Sequence, residues 1–209
     1  MDSKEFNILI ISETEYIQHL LSDISIDGLN EAILTFYTYQ TLEGLEDTNF
    51  DLILIDSDDI NQSMQYVKQL KQHLLQVDTP ILIGIQADEV DLLTSFIEAG
   101  VNDYILKPYV KQSLALRIKN NLSYVNAVKM SKQKELQFDA LLNNMPYMAW
   151  FKNAESQYIT VNREFRKHSG KDDTAIYNRD DQFLWDGQIG EKCREYDLAV
   201  MNERRQIGF

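Results

Sequence analysis

The sequence is poor in the residues that cross-link or punctuate a chain: one cysteine, Cys193, three prolines and eight glycines in 209 residues. A single thiol excludes an internal disulfide and fits a reducing compartment. The glycines form no G-x-G-x-x-G or phosphate-loop pattern, which disfavours a dinucleotide or nucleoside triphosphate cradle. No apolar run approaches the roughly 20 residues a membrane helix needs, and the start, MDSKEFN, has no signal-like apolar stretch. A cytoplasmic protein with no membrane partner is therefore expected. Positive charge is scarce at first: residues 1–109 carry 20 Asp and Glu against 4 Lys and Arg, a net −16, while residues 110–209 carry 13 against 16, a net +3. So acidic a half argues against nucleic acid as a partner, because phosphate backbones demand clustered Lys and Arg. The imbalance also separates the halves into different objects, within a length that accommodates two modest domains.

What is present is a regular alternation. FNILII (6–11), AILTFY (32–37), DLILI (51–55), ILIGI (81–85) and DYIL (103–106) predict strands, several apolar on both faces as covered parallel strands are. Helical stretches near 14–23, 40–46, 62–75 and 89–98 separate them, the last closed by Gly100. Five such units predict an α/β fold with a doubly wound, five-stranded parallel sheet. Chemistry in such sheets gathers outside the carboxyl ends of the strands. There stand Ser12 and Glu13, Asp56, Gln86 and Ala87, and Lys107 and Pro108. Two carboxylates and a lysine, scattered in sequence, are thus expected on one edge. Asp56 is followed by Ser57, Asp58 and Asp59, a cluster that is either a solvated turn or a seat for positive charge.

On these residues the first part of the chain, over about residues 5–125, resembles the receiver domain of two-component response regulators. DLILID (51–56) matches the phosphoacceptor strand, and AGVNDYILKPY (99–109) matches the fifth-strand segment more specifically. The resemblance implies a flavodoxin-like fold, Asp56 as phosphoacceptor, and Mg2+ held by Glu13, Asp56 and the main-chain carbonyl of Asp58. It implies Lys107, Gln86 and Ala87 around the phosphoryl group, Tyr104 as the switch aromatic, and a cis bond before Pro108. The chemistry is coherent, since a carboxylate attacks phosphorus poorly until a cation neutralises the approaching charge, and magnesium takes oxygen ligands. Three departures stand out: Ser12-Glu13 replaces the family's acidic pair, Gln86 replaces its Thr or Ser, and Ile60 replaces a proline often found there. Alone, a strand-end Asp is more often a turn or capping residue than a nucleophile. Ser12 is read here as a loop hydroxyl rather than a metal ligand.

From Val110 to about Leu142 there is neither glycine nor proline, which predicts one continuous connecting helix over 110–142. Leu114, Ile118, Val125 and Val128 fall near heptad spacing before the stripe turns polar at Lys132 and Glu135. This offers either a parallel homodimer or a helix packed on its own domain. Beyond it, YMAWF and QYITV predict a hairpin and VNREF a short helix. Residues 143–209 resemble the N-terminal part of a PAS domain, a sensory α+β fold, here incomplete. The PAS ligand stays unknown; Cys193 is an ordinary helix residue, and His19, His73 and His168 have no metal-like spacing.

The resemblances together imply a two-component signalling module. A sensor histidine kinase or phosphotransfer protein is the expected donor, and a homodimer through the connecting helix and PAS region is expected. The output would be a cyclic-di-nucleotide synthase or a histidine kinase in a longer protein; no catalytic residue is assigned within this chain. The competing class is a degenerate receiver that docks or dimerises without phosphate. A third reading makes a PAS ligand the input.

Overall fold

The computed structural model describes residues 6–22, 32–37, 49–73, 79–185 and 187–203. The chain divides into two units, residues 1–130 and 131–209.

In the first unit five strands, β1 (Phe6–Ser12), β2 (Ala32–Tyr37), β3 (Leu52–Asp56), β4 (Ile81–Ile85) and β5 (Asp103–Leu106), form one parallel sheet in the order β2-β1-β3-β4-β5. Between them lie helices α1 (Glu15–Ser22), α2 (Ile60–His73) and α3 (Leu93–Glu98), the last entered through a 3-10 turn over Ala87–Leu92. The helix expected near 40–46 lies outside the described residues.

Side-chain alternation along each strand assigns the two faces. Ile8 and Ile10 of β1, with Leu52 and Leu54 of β3, pack with Ile17 of α1 and with Leu114, Ile118 and Leu122. Leu9 and Ile11, with Ile53 and Ile55, pack on the opposite face with Val67 and Leu70 of α2 and Phe96 of α3. Strands β3 and β4 are buried at every position, which is why LILID and ILIGI carry no polar alternation until Asp56.

Helix α4 (Lys111–Asn143) is 33 residues long, or about 50 Å at 1.5 Å per residue. Within the first unit it is tied to the sheet by Arg117 and Asn121, both donating to Asp103 at the start of β5 (2.5 and 3.0 Å), and by an ion pair of Lys129 with buried Asp51. Leu114, Ile118, Leu122 and Val125 are buried. The stripe that could have served a helix dimer is therefore covered within its own unit as far as Val125.

The second unit carries the antiparallel hairpin β6 (Trp150–Lys152) and β7 (Tyr158–Val161), then α5 (Arg163–Ser169), α6 (Asp173–Ile176), α7 (Asp181–Leu184) and α8 (Gln188–Glu203). Each of the three short helices is opened by a side chain accepting from a main-chain N–H: Asn162 for α5, Asp172 for α6 and Asp180 for α7. Asn162, fully buried, also donates to the carbonyls of Leu142 and Tyr147 and accepts from Ala149 N–H. It thereby pins the end of α4 to the hairpin. Tyr158, Val161, Phe165, Ile176 and Leu184 form the core, with the Phe165 ring 5.0 to 5.8 Å from those of Tyr158, Trp150 and Trp185.

Candidate functional site

The site follows from strand register. Ser12 at the end of β1 lies opposite Asp56 at the end of β3, and Asp56 lies opposite Gly84 of β4. All three share the parity of the residues that face α1 and α4, so they stand side by side on one face at the carboxyl edge of the sheet. Asp56 is 5 % exposed. A carboxylate in that position must be paired, because an isolated buried charge is costly.

Its partners converge from two segments, the end of β1 and the chain just past β5. Lys107 Nζ, just past β5, lies 2.8 Å from Asp56 Oδ1 and also donates to the Ser57 carbonyl (2.8 Å) and to Asp58 Oδ1 (3.0 Å). The Tyr109 hydroxyl donates to Asp56 Oδ1 at 2.5 Å, and the Ser12 hydroxyl donates to Asp56 Oδ2 at 2.9 Å. Burial alone would push the Lys107 ammonium towards its neutral form, but the hydrogen bonds and charges of Asp56 and Asp58 outweigh it and hold its pKa above the usual lysine value. The Lys107–Pro108 bond is cis.

The acidic cluster after β3 therefore divides into three tasks. Asp56 is the buried centre, while the Asp58 carboxylate, on a side chain 74 % exposed, reaches Lys107 from the solvent side. Asp59 opens α2: its carboxylate accepts from Asn61 N–H (2.9 Å) and its carbonyl from Ser63 N–H (3.0 Å).

The other residues proposed from sequence lie on the neighbouring strands and the turns that follow them. Glu13 is exposed, one residue beyond Ser12. Gln86 and Ala87 are exposed at the end of β4, where Gln86 N–H donates to the Glu89 carboxylate (2.7 Å). Tyr104, on β5, is partly buried against the α2–α3 face of the sheet, with the Arg117 guanidinium 5.6 Å from its ring centre. Among the described residues no three His, Cys, Asp or Glu side chains are gathered to hold a metal ion. Asp56 Oδ1 is shared by Lys107 and Tyr109, and Oδ2 accepts from Ser12.

Sequence reasoning placed Ser12 at this edge without its partner and gave Tyr109 no role. Ser12 is a ligand of the central carboxylate rather than a loop hydroxyl. Tyr109, 7 % exposed, reaches Asp56 across Gly84; a Cβ at Gly84 would lie 1.9 Å from the Tyr109 hydroxyl and 3.2 Å from Lys107 Cε. The available signal was a glycine inside an otherwise aliphatic strand, which marks close approach of another group.

No family model matches this sequence, and no curated protein sequence matches it either. Solved structures do resemble it. NtrX from Brucella abortus is 18% identical with a TM-score of 0.51, covering 62% of this chain, which spans only 29% of that protein. An adenylate cyclase structure from Rhodopirellula baltica is 14% identical with a TM-score of 0.50, covering 64% of this chain and 98% of the other. The N-terminal signal receiver domain of a two-component response regulator from Bacteroides fragilis is 20% identical with a TM-score of 0.45, covering 57% and 98%. At such identities the likeness concerns the fold. The first unit has the flavodoxin-like receiver architecture, with strand order β2-β1-β3-β4-β5.

Proposed function

We propose that the chain is a regulatory module of two-component signalling whose first unit accepts a phosphoryl group on Asp56. The observation that carries this reading is the Asp56–Lys107 pair, 2.8 Å apart at the carboxyl edge of a five-stranded parallel sheet. A lysine held cationic beside the carboxylate neutralises charge on an incoming phosphoryl group and can pair with its oxygens afterwards. Gln86 and Ala87, exposed at the neighbouring strand end, are the proposed lining for those oxygens, and Tyr104 the proposed switch aromatic. Mg2+ belongs to the proposal, with the Asp56 carboxylate, the Asp58 carbonyl and Glu13 as the oxygen ligands that would hold it. A histidine kinase or phosphotransfer protein as donor, a PAS role for the second unit, dimerisation, and relay to an output activity belong to the same proposal.

A phosphate-independent docking domain is the second reading, favoured by one specific observation: Ser12, in place of an acid, already donates to Asp56. Incubating the chain with a small acyl phosphate, with and without magnesium, and weighing the intact protein separates the two. The proposal expects one added phosphoryl group, lost in Asp56→Asn. No gain in mass under any condition favours the docking domain.

A further inference from the structure

We propose that Tyr109 is a latch on the acceptor carboxylate, and that Gly84 exists as glycine to let it close. The inference rests on the reading of Asp56 as phosphoacceptor and goes beyond it by naming the group that sets how readily the site reacts.

The latch has three parts. The Tyr109 hydroxyl donates to Asp56 Oδ1 at 2.5 Å, sharing that oxygen with Lys107. Its ring is buried with the α1–α4 core cluster, so this is a seated side chain and not a surface residue in passing contact. Gly84 lies in register with Asp56, and any Cβ there would overlap the hydroxyl, at 1.9 Å, and crowd the ring carbon that bears it, at 2.9 Å. The backbone at Gly84 calls for no left-handed conformation. What its missing side chain supplies is space, and Tyr109 fills it.

The chemistry of acceptance shows why this matters. In transfer from an acyl phosphate, an Asp56 oxygen forms the new O–P bond with one of its lone pairs. The O–P bond to the acyl group breaks, and the donor leaves as a carboxylate carrying that electron pair. No proton changes hands, and Tyr109 keeps its phenolic hydrogen throughout. A short hydrogen bond to the carboxylate lowers the availability of its lone pairs, and a phenol seated beside it occupies the approach. The hydroxyl must withdraw before the oxygen and its surroundings accommodate the phosphoryl group, so the closed form is the resting form.

Two variants release the latch in different ways. Tyr109→Phe keeps the buried ring and removes the hydrogen bond. Gly84→Ala keeps the hydroxyl and denies it its place. With the full chain, acetyl phosphate and magnesium, followed by intact mass over time, both variants are expected to gain one phosphoryl group about ten- to a hundredfold faster than the unaltered chain, the factor that releasing one hydrogen bond to a charged group is worth. Adding Asp56→Asn to either should abolish the gain. Rates that are unchanged or reduced in Tyr109→Phe, with the unaltered chain still labelled, overturn the latch and leave Asp56 as acceptor. Absence of labelling in all three folded proteins overturns the acceptor reading and the latch with it.

Discussion

Each unit of the chain brings a lysine and a tyrosine onto one buried aspartate, on a single carboxylate oxygen in the first unit and on separate oxygens in the second. In the first, Lys107 pairs with Asp56, Tyr109 donates to that aspartate, and Ser12 donates to it as well. In the second, Lys152 pairs with Asp181, Tyr158 donates to Asp181 (2.5 Å), and Ser156 donates to Asp197, which shares the lysine (2.5 and 2.6 Å). Both lysines stand near the ring of their tyrosine, at 5.9 and 4.4 Å. What separates them is where they sit. Asp56 ends a strand at the carboxyl edge of a parallel sheet, and its lysine is met from outside by the exposed Asp58. Asp181 begins α7, and its knot joins the hairpin, α7 and α8 under the side chain of Trp185, which donates to the Tyr158 hydroxyl (3.2 Å). The same three residue types form an approachable centre in one place and a staple in the other; topology and exposure decide which.

The largest effect expected from this contrast is on stability. Lys152→Met leaves Asp181 and the largely buried Asp197 without their cation, which should cost about 3–5 kcal/mol, the usual penalty for breaking a buried pair. Both tryptophans, Trp150 and Trp185, belong to the second unit, so urea unfolding followed by tryptophan fluorescence reads that unit alone. Lys107→Met should cost less, about 1–3 kcal/mol by circular dichroism, because two hydroxyls still donate to Asp56 and Asp58 turns to solvent. The reverse ranking would break the distinction between staple and site.

The second effect is a pH dependence. Burial, and then the hydrogen bond to Asp181, hold the Tyr158 hydroxyl protonated well above the ordinary tyrosine range. A pKa raised on folding gives stability that is complete below the unfolded value, about 10. It is lost as pH rises beyond that value, where the unfolded chain ionises and the folded one does not. Tyr158→Phe should flatten the alkaline loss of the fluorescence-detected transition; an unchanged slope would place the loss elsewhere. The smallest effect concerns Glu13. Being exposed, it should tolerate Glu13→Gln with a change under about 0.5 kcal/mol in thermal stability, whereas a larger loss would show it to be part of the Asp56 knot.

The contrast also shows what the sequence makes legible. The strands are readable because doubly covered strands are uninterrupted aliphatic runs, and strand order then brings Asp56 and Lys107 to one edge although they lie 51 positions apart in the chain. Tyr109 is not readable from its own surroundings, since its reach depends on the chain after β5 folding back over β4; only Gly84 hints at it. Ser12 looked like a loop residue because its role arises from register with Asp56, which a single strand does not reveal. Lys152 and Asp181 carry no signal at all. One is in a hairpin strand and the other at a helix start, two places where charged residues are ordinarily solvated.

The account turns on Asp56 being a reactive carboxylate rather than a second staple. The direct measurement is to treat the chain and its Tyr109→Phe variant with acetyl phosphate and magnesium, reduce with borohydride, which converts an aspartyl phosphate to homoserine, and map the modified peptide by mass. The account predicts conversion at position 56, faster in Tyr109→Phe. Both proteins emerging with Asp56 untouched, or modified only at exposed acids such as Asp58, would contradict it.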